Sequence, residues 1–300
     1  MYKILVSSVD SIPQLVSNYF EFVTDSGRNI SLVLQNESQI YDNLKQEMMA
    51  KGVPIIGTSR FNKIEQTQIL DRFGINYPES YYDVNTNGCL NSIDKLNAYC
   101  DLNEFVVKPI LGARGVGVKL IKRNEFKDCL YSEKTINKVF SKEIEDTKSE
   151  DINVMNYISD NIGCMLIQKP IKVKREFRVL YFAPDYILTY ERELLEGQFC
   201  GNLSHGSRPK EVEDKFLSED LKPFVNQFKP IMDEFKYPWI SIDVYEDMDG
   251  KLGVFEFQME FAYEGFNHKL VRERMKESLE HYMMLKKNYT IEDLRYNKIR

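Results

Sequence analysis

Histidine and cysteine are scarce in this chain, with three His and five Cys in 300 residues. The cysteines, Cys89, Cys100, Cys129, Cys164 and Cys200, are scattered, odd in number and without Cys-x-x-Cys spacing. That pattern argues for reduced thiols in a reducing compartment. Excess positive charge is also missing: the formal net charge is −6. A nucleic-acid grip needs clustered Lys and Arg, so it is not the expected role. The N-terminus has no cationic stretch leading into a long apolar run, and no segment reaches membrane-spanning length. A soluble, cytoplasmic protein without membrane partners is therefore expected. No internal repeat is present. The Gly-x-x-x-x-Gly-Lys-Ser/Thr string, the Gly-x-Gly-x-x-Gly spacing before a helix, and the His-Arg-Asp and Asp-Phe-Gly pair are all absent. A P-loop, a dinucleotide fold and a protein kinase drop out with them.

What is present begins with Phe105-Val-Val-Lys-Pro-Ile-Leu-Gly-Ala-Arg-Gly-Val-Gly-Val-Lys119. A β-type run, Phe105 to Lys108, feeds a loop with Gly112, Gly115 and Gly117, and a second β-type run follows from Val116 to Ile121. Glycines lack the Cβ that would keep backbone N–H groups away from phosphate oxygens. Lys108 and Arg114 add positive charge at the same place. Taken alone, the stretch reads as a phosphate-cradling flap or as a tight surface hairpin.

The second feature is Trp239-Ile-Ser-Ile-Asp-Val-Tyr-Glu-Asp-Met-Asp-Gly-Lys-Leu-Gly-Val-Phe-Glu-Phe-Gln258. Asp249-Gly250 is a two-residue hairpin signal, because such a turn needs positive φ. Met248 would then face Lys251, and counting outward sets Asp243 opposite Glu256. Alternation puts Glu256 and Gln258 on one face and Phe255 and Phe257 on the other. Two carboxylates directly opposite repel. A hard divalent cation, which favours carboxylate and amide oxygens, would offset that, as would a neighbouring Lys or Arg on a wet sheet face.

In this collinear order the chain resembles the ATP-grasp superfamily of carboxylate–amine ligases. That group includes the ribosomal-protein glutamate ligases, glutathione synthetase, D-alanine–D-alanine ligase, biotin carboxylase and carbamoyl phosphate synthetase. Val53–Ser59 is similar to the end of the small N-terminal domain. Asn62–Pro78 is similar to the next helix, whose family lysine near the ATP phosphates is here Lys63. Lys108 lies where the second ATP-contacting lysine precedes the glycine loop. Met165–Ile171 resembles the strand and hinge at the adenine edge, which implicates Gln168, Lys169 and Ile171. Glu176-Phe-Arg178 matches an acid-x-Arg pattern. Arg192 and Asn202 fall where the glutamate-ligase branch has an Arg and an Asn near phosphate and substrate. Asp243, Glu256 and Gln258 occupy the magnesium positions. Two departures stand out: Gln258 replaces the usual Asn, and Lys169 replaces the usual Glu of the hinge.

The resemblance implies an α/β and α+β protein with the ATP-grasp fold. Residues 1–60 would form a small parallel N-terminal domain, 61–165 a lid subdomain holding the glycine loop, and 166–300 an antiparallel C-terminal lobe. It implies ATP and one or two Mg2+, with Mn2+ as a substitute. Lys63, Lys108, Gly112, Arg114, Gly115, Gly117, Gln168, Lys169, Ile171 and Glu176 would bind nucleotide. Asp243, Glu256 and Gln258 would hold metal, and Arg178, Arg192 and Asn202 would be catalytic. The reaction implied joins a carboxylate to an amine (amino acid, peptide or protein end) through an acyl phosphate, releasing ADP and phosphate. Two alternatives stay open: an ATP-binding scaffold or regulator with degenerate ligase activity, and a phosphotransferase. The family often forms homodimers; the sequence leaves the oligomeric state open.

Other expectations come from pattern alone. Tyr2–Ser7, Ile30–Leu34 and Val53–Ile56 read as strands, and Ile40–Met49 and Asn267–Lys287 as helices. Ile12, Leu15, Val16, Tyr19, Phe20 and Val23 recur at helical spacing. The basic run Lys169, Lys172, Lys174, Arg175 and Arg178 would face ATP or an anionic substrate, or else be an ordinary wet strand face. Ser141–Asp151 reads as an exposed charged linker, and Tyr289–Arg300 as a basic amphipathic tail.

Overall fold

The computed structural model describes residues 3–5, 21–23, 30–37, 46–48, 50, 51, 53, 55–59, 61–83, 93–110, 118–124, 165–193, 207–259 and 265–284. Three sheets organise them. The first is parallel: β1 (Lys3–Leu5), β2 (Glu21–Val23), β3 (Ile30–Glu37) and β4 (Ile55–Ser59), in the order β2-β1-β3-β4. It is the parallel N-terminal sheet expected, with one correction. Helical spacing runs to Val23, but Glu21–Val23 pairs with β1 as a strand. Phe22 and Val23 favour strand, and an i, i+3, i+4 pattern does not mark where a helix stops. Residues 46–48 and 50 are helical, in keeping with a helix near Ile40–Met49.

Helix α1 (Lys63–Arg72) follows β4. The second sheet is antiparallel, in the order β5-β8-β6-β7, from β5 (Ser80–Tyr81), β6 (Glu104–Pro109), β7 (Lys119–Lys122) and β8 (Met165–Gln168). Its Phe105, Val107, Ile121 and Ile167 are buried with Leu96 of α2 (Ile93–Tyr99) and with Cys100. Burial pushes the Cys100 thiol pKa up. The alternate residue Leu166 packs with Ile64 of α1 on the other side. The glycine loop, the charged linker and the basic tail lie outside the described residues.

The third sheet is antiparallel, in the order β11-β10-β9-β12-β13. Its strands are β9 (Val173–Phe182), β10 (Tyr186–Glu193), β11 (Arg208–Lys210), β12 (Trp239–Asp247) and β13 (Leu252–Gln258). A helical run crosses it: α3 (Asp214–Phe216), a π-helical turn, α4 (Lys222–Val225), a 3-10 turn and α5 (Lys229–Phe235). Helix α6 (His268–Met284) closes it. Phe177, Val179, Ile242, Val244 and Phe257 share one core with Phe228, Phe235, Met275 and Leu279. Ile4, Leu34 and Ile56 of the parallel sheet reach the same core. Each such side chain contributes about 1.5–3 kcal/mol by leaving water. No helix among the described residues is long and apolar enough to cross a membrane.

The β12–β13 hairpin differs from the expected one in two places. Asp243 does pair with Glu256. Near the turn, however, Glu246 pairs with Leu252 and the Asp247 N–H donates to Lys251 O at 3.0 Å. The loop is therefore Met248-Asp249-Gly250, with Gly250 at φ +81°. Asp247 Oδ1 accepts from the N–H of Asp249 at 3.0 Å and of Lys251 at 2.8 Å, which favours this longer turn. A β-bulge between Asp243 and Val244 then restores the register, with Phe255 as the extra residue. Phe255 consequently lies on the Tyr245 ring, 4.6 Å between centroids, and not in the core beside Phe257.

Gly253 makes room for Tyr245. A Cβ at Gly253 would fall 2.3 Å from the Tyr245 ring and 2.7 Å from Asn76 Nδ2. Gly253→Ala is expected to destabilise the chain by about 1–3 kcal/mol, and by less in a Tyr245→Ala background. Urea unfolding of the single and double variants measures both.

Candidate active site

The site begins at the first turn of α1. Asn62 Oδ1 accepts from the N–H of Ile64 at 2.9 Å and of Glu65 at 3.0 Å. Glu65 Oε2 accepts in return from the Asn62 N–H at 2.8 Å, completing a capping box. Helix α1 therefore starts at Lys63, whose N–H donates to Ile110 O at 3.0 Å. The Lys63 side chain is buried, with Nζ 3.5 Å from Glu256 Oε1. One turn on, Gln66 Oε1 accepts from the Phe257 N–H at 3.1 Å. Past the helix, Asn76 O accepts from the Val254 N–H at 2.9 Å, and Asn76 Nδ2 donates to Leu252 O at 2.7 Å. Strand β13 ends its sheet, so these groups would otherwise be an unpaired edge. Helix α1 and the segment after it cover that edge and set Glu256 against Lys63.

On the neighbouring strands, Arg192 is buried between two carboxylates. Its Nη1 donates to Glu176 Oε1, and its Nη2 donates to Asp243 Oδ1 at 3.0 Å. Burial by itself would lower the guanidinium pKa; Asp243 and Glu176 outweigh it and push it above the ordinary arginine value. Arg178 Nε lies 2.8 Å from the same Asp243 oxygen, although its N–H does not align on it as a hydrogen bond. Arg178 Nη1 donates to Ser241 Oγ at 2.7 Å. The Nε–H groups of Arg178 and Arg192 are buried donors without an acceptor, which suits an anionic group. Burial also raises the pKa of Tyr190, against the pull of Arg192 and Arg178.

The second sheet meets this cluster through Lys108. Its Nζ sits 4.9 Å from the centre of the Phe255 ring, next to Glu256 in the chain. A cation of the second sheet thus rests on the hairpin residue that precedes Glu256. Gln168 is buried, and its Nε2 donates to Ser80 Oγ at 2.8 Å, while its Oε1 has no donor. Lys169 is exposed: its N–H donates to Glu79 O at 2.8 Å, and its Nζ is 3.2 Å from Glu79 Oε2. The Tyr81 hydroxyl and Lys169 hold the Glu79 carboxyl below its usual pKa. Ile171 is half-buried beyond them. Gln258 is half-buried and pairs with Ser241. Gly112, Arg114, Gly115, Gly117 and Asn202 lie outside the described residues. Of the basic run, Arg178 joins the cluster; Lys174 meets Glu246 at 2.7 Å and Arg175 meets Glu191 at 2.7 Å instead.

Neither a protein-family model nor a protein of curated function matches the chain by sequence. Solved structures do match its fold. D-alanyl-alanine synthetase A from Vibrio cholerae O1 biovar eltor gives a TM-score of 0.56 at 16% identity, covering 95% of this chain and 98% of that one. A RiPP-associated ATP-grasp ligase from Chryseobacterium gregarium, in complex with ADP and a leader and core peptide, gives 0.52 at 13% identity over 94% and 97%. D-alanine–D-alanine ligase from Bacillus anthracis gives 0.51 at 15% identity over 98% and 97%.

The chain has the ATP-grasp fold.

Within this ATP-grasp fold, Asp243, Glu256 and Gln258 offer the hard oxygen donors that Mg2+ takes, so the donor set fits a divalent cation. Among the described residues there is no group of three or more His, Cys, Asp or Glu able to hold a metal. Both carboxylates already face cations of the chain. Phe255, Gln66, Asn76 and Ser241 belong to the site and carry no sequence signal of it. The bulge that aims Phe255 and the edge that Gln66 and Asn76 cover exist only once the sheets have assembled.

Replacing Arg192 by Met would leave Glu176 and Asp243 without their shared buried partner. Arg192→Met is expected to cost about 3–5 kcal/mol in urea unfolding. Lys51→Met, which breaks the exposed Lys51–Glu47 pair, is expected to cost no more than about 1 kcal/mol.

Proposed function

We propose that the chain is an ATP-dependent carboxylate–amine ligase that forms amide or peptide bonds through an acyl phosphate. One observation carries this reading: Lys63 and Lys108 meet the hairpin at the successive residues Glu256 and Phe255, and Arg178 and Arg192 meet it at Asp243, the partner of Glu256. Cations on one side and paired hard-oxygen donors on the other suit a metal-bound nucleoside triphosphate. The solved structures of like fold include D-alanyl-alanine synthetase A and a ligase in complex with ADP and peptides, which agrees with this reaction class.

In the proposed reaction, Lys63 and Lys108 bind the phosphates of ATP. Asp243, Glu256 and Gln258 would hold Mg2+, which would offset phosphate charge when bound. Arg178 and Arg192 orient the γ-phosphate and stabilise its charge as it transfers. A substrate carboxylate oxygen attacks the γ-phosphorus; the bond to the β-phosphate oxygen breaks and ADP leaves. The amine nitrogen then attacks the acyl carbon, phosphate departs with the C–O bond, and the amine loses a proton. Buried Arg192 and the closing of the second sheet over the site keep water from the acyl phosphate. A peptide or protein end is the favoured substrate class, in line with the ligase of like fold that is in complex with a leader and core peptide.

A screen of amino acids and peptides for Mg2+-dependent ADP release tests the reading. ADP release should need a carboxylate, and its continued turnover should need an amine as well. Lys108→Ala and Glu256→Ala should each lower the rate by about 100-fold or more. Equal ADP signals from the wild type and both variants under every condition would contradict it.

A further inference from the structure

We infer that Arg175, on the face of the third sheet turned away from the site, is a positioning residue. It ties together the three strands that carry Arg192, Glu176 and Asp243, and so holds Arg192 in place. This inference rests on the ligase reading for the role of Arg192 and adds a residue that the site itself does not contain. Register separates the two faces. On β12, Asp243 lies opposite Arg178 and Tyr245 opposite Glu176, while Ile242, Val244 and Glu246 lie opposite Val179, Phe177 and Arg175. Ile242, Val244, Val179 and Phe177 are core residues, so Arg175 and Glu246 continue the core side of the sheet. Glu191 of β10, opposite Phe177, is on that side too. There Arg175 Nε and Nη2 donate to Glu191 Oε2 at 3.0 and 2.7 Å. Its Nη1 is 3.6 Å from Glu246 Oε2, a buried oxygen with no hydrogen bond. Glu246 Oε1 accepts from Lys174 Nζ at 2.7 Å. Lys174 reaches it because β9 bulges there: Glu246 pairs with Arg175 and Asp247 with Val173, which leaves Lys174 extra.

The two faces mirror each other in charge. Strand β9 reads Arg175-Glu176 and β10 reads Glu191-Arg192. Successive residues therefore pair as Arg175–Glu191 behind the sheet and Glu176–Arg192 in front of it. Each arginine also crosses to β12, Arg175 to Glu246 and Arg192 to Asp243. Two guanidinium groups thus bridge the same three strands, one on each face. Their parts in the reaction differ. Arg192 serves the transferring phosphoryl group, and when it turns to phosphate the front bridge opens. The sheet itself keeps Arg175 from that group, so the rear bridge stays closed. The Phe216 and Phe177 rings lie against the Arg175 guanidinium, with centres at 4.1 and 4.9 Å, and with the fork on Glu191 they fix its plane. Its side chain is 18% exposed, so water competes little for these contacts. Pairs removed from water in this way add little net stability. What they supply here is the spacing of β10, β9 and β12. Arg192 is one peptide away from Glu191, and a group misplaced by about 1 Å can lower a rate by about 100-fold.

The test measures ADP release by the full chain with an acid and an amine that support it, each rate divided by the amount of protein that binds ADP. Arg175→Lys keeps the charge and loses the fork. It should lower kcat by about tenfold and leave KM for ATP within about twofold. Glu191→Gln loosens the same pair from β10 and should act in the same direction, which covers the case of one variant folding poorly. In an Arg192→Lys background, Arg175→Lys should lower kcat by less than about twofold further, because the group it positions is gone. A merely structural part would take the same factor from both backgrounds. Lys215→Gln, at an exposed lysine of α3, should match the wild type. Hydrogen exchange at the Arg192 Nε–H, followed by NMR and assigned by its loss in Arg192→Lys, gives a reading that needs no ligation. Arg175→Lys should speed it by about tenfold. Unchanged kcat in Arg175→Lys and Glu191→Gln, equal losses in both backgrounds, or unaltered exchange would each overturn the inference and leave the ligase reading standing. A wild type that releases no ADP with any acid and amine would overturn the ligase reading, and with it the catalytic part of the inference; the exchange rates alone would then decide whether Arg175 holds Arg192.

Discussion

The β-bulge at Phe255 is the constraint from which the site geometry follows. It puts two successive residues of β13, Phe255 and Glu256, opposite the single residue Asp243. The core keeps Val254 and Phe257, three positions apart, while the site receives Phe255 and Glu256. Without the extra residue, alternation would hold Phe255 on the core side and remove the surface on which Lys108 rests. Gly253 and Tyr245 lock this arrangement, because no side chain fits beneath the tyrosine ring. Burial raises the Tyr245 hydroxyl pKa to about 12, so the ring stays neutral where it packs. The edge of the same strand is closed by Gln66 and Asn76, which carry α1 and Lys63 to the carboxylates.

The ion pairs of the molecule differ widely in weight. Exposed pairs such as Lys51–Glu47 and Lys215–Glu219 lie in water and contribute little. The Arg192 contacts are of another kind: both Arg192 and Glu176 are almost fully buried. Desolvation makes such a pair a poor source of net stability, yet removing one member strands the other. An expense of that sort makes sense when the cations have a second partner to visit. The buried Nε–H groups of Arg178 and Arg192, without acceptors, point the same way. Electrostatic groups held in place before the reaction are worth most where water is excluded.

Local chemistry made part of this legible in the sequence. Alternation put Phe257 on the core face of β13, and the acid-x-Arg pattern singled out Glu176 and Arg178. The pairing of Asp243 with Glu256 was also reachable, although the two-residue turn behind it was not the turn that forms. One more loop residue and one bulge cancel, and the count from Asp249-Gly250 arrives at the right pair. Phe255 could not be placed that way, since nothing in Gly253-Val-Phe-Glu announces which residue bulges. Val23 escaped because helical spacing and strand propensity coincide there, and pairing with β1 decided the outcome. Partner choice was out of reach for a simpler reason. Arg175 with Glu191 and Lys174 with Glu246 are contacts between strands, set by register after the sheet has formed.

The account stands on one claim, that a hairpin of carboxylates and the lysine of a separate sheet close on the same nucleotide. A crystal structure of the chain with Mg2+ and a non-hydrolysable ATP analogue tests it most directly. The account predicts the phosphates between Lys63 and Lys108, with the ion on Asp243, Glu256 and Gln258 and the two arginines drawn from Asp243 to phosphate oxygens. Nucleotide bound elsewhere, or Asp243 and Glu256 still held only by their own arginines and lysine with the analogue in place, would contradict it.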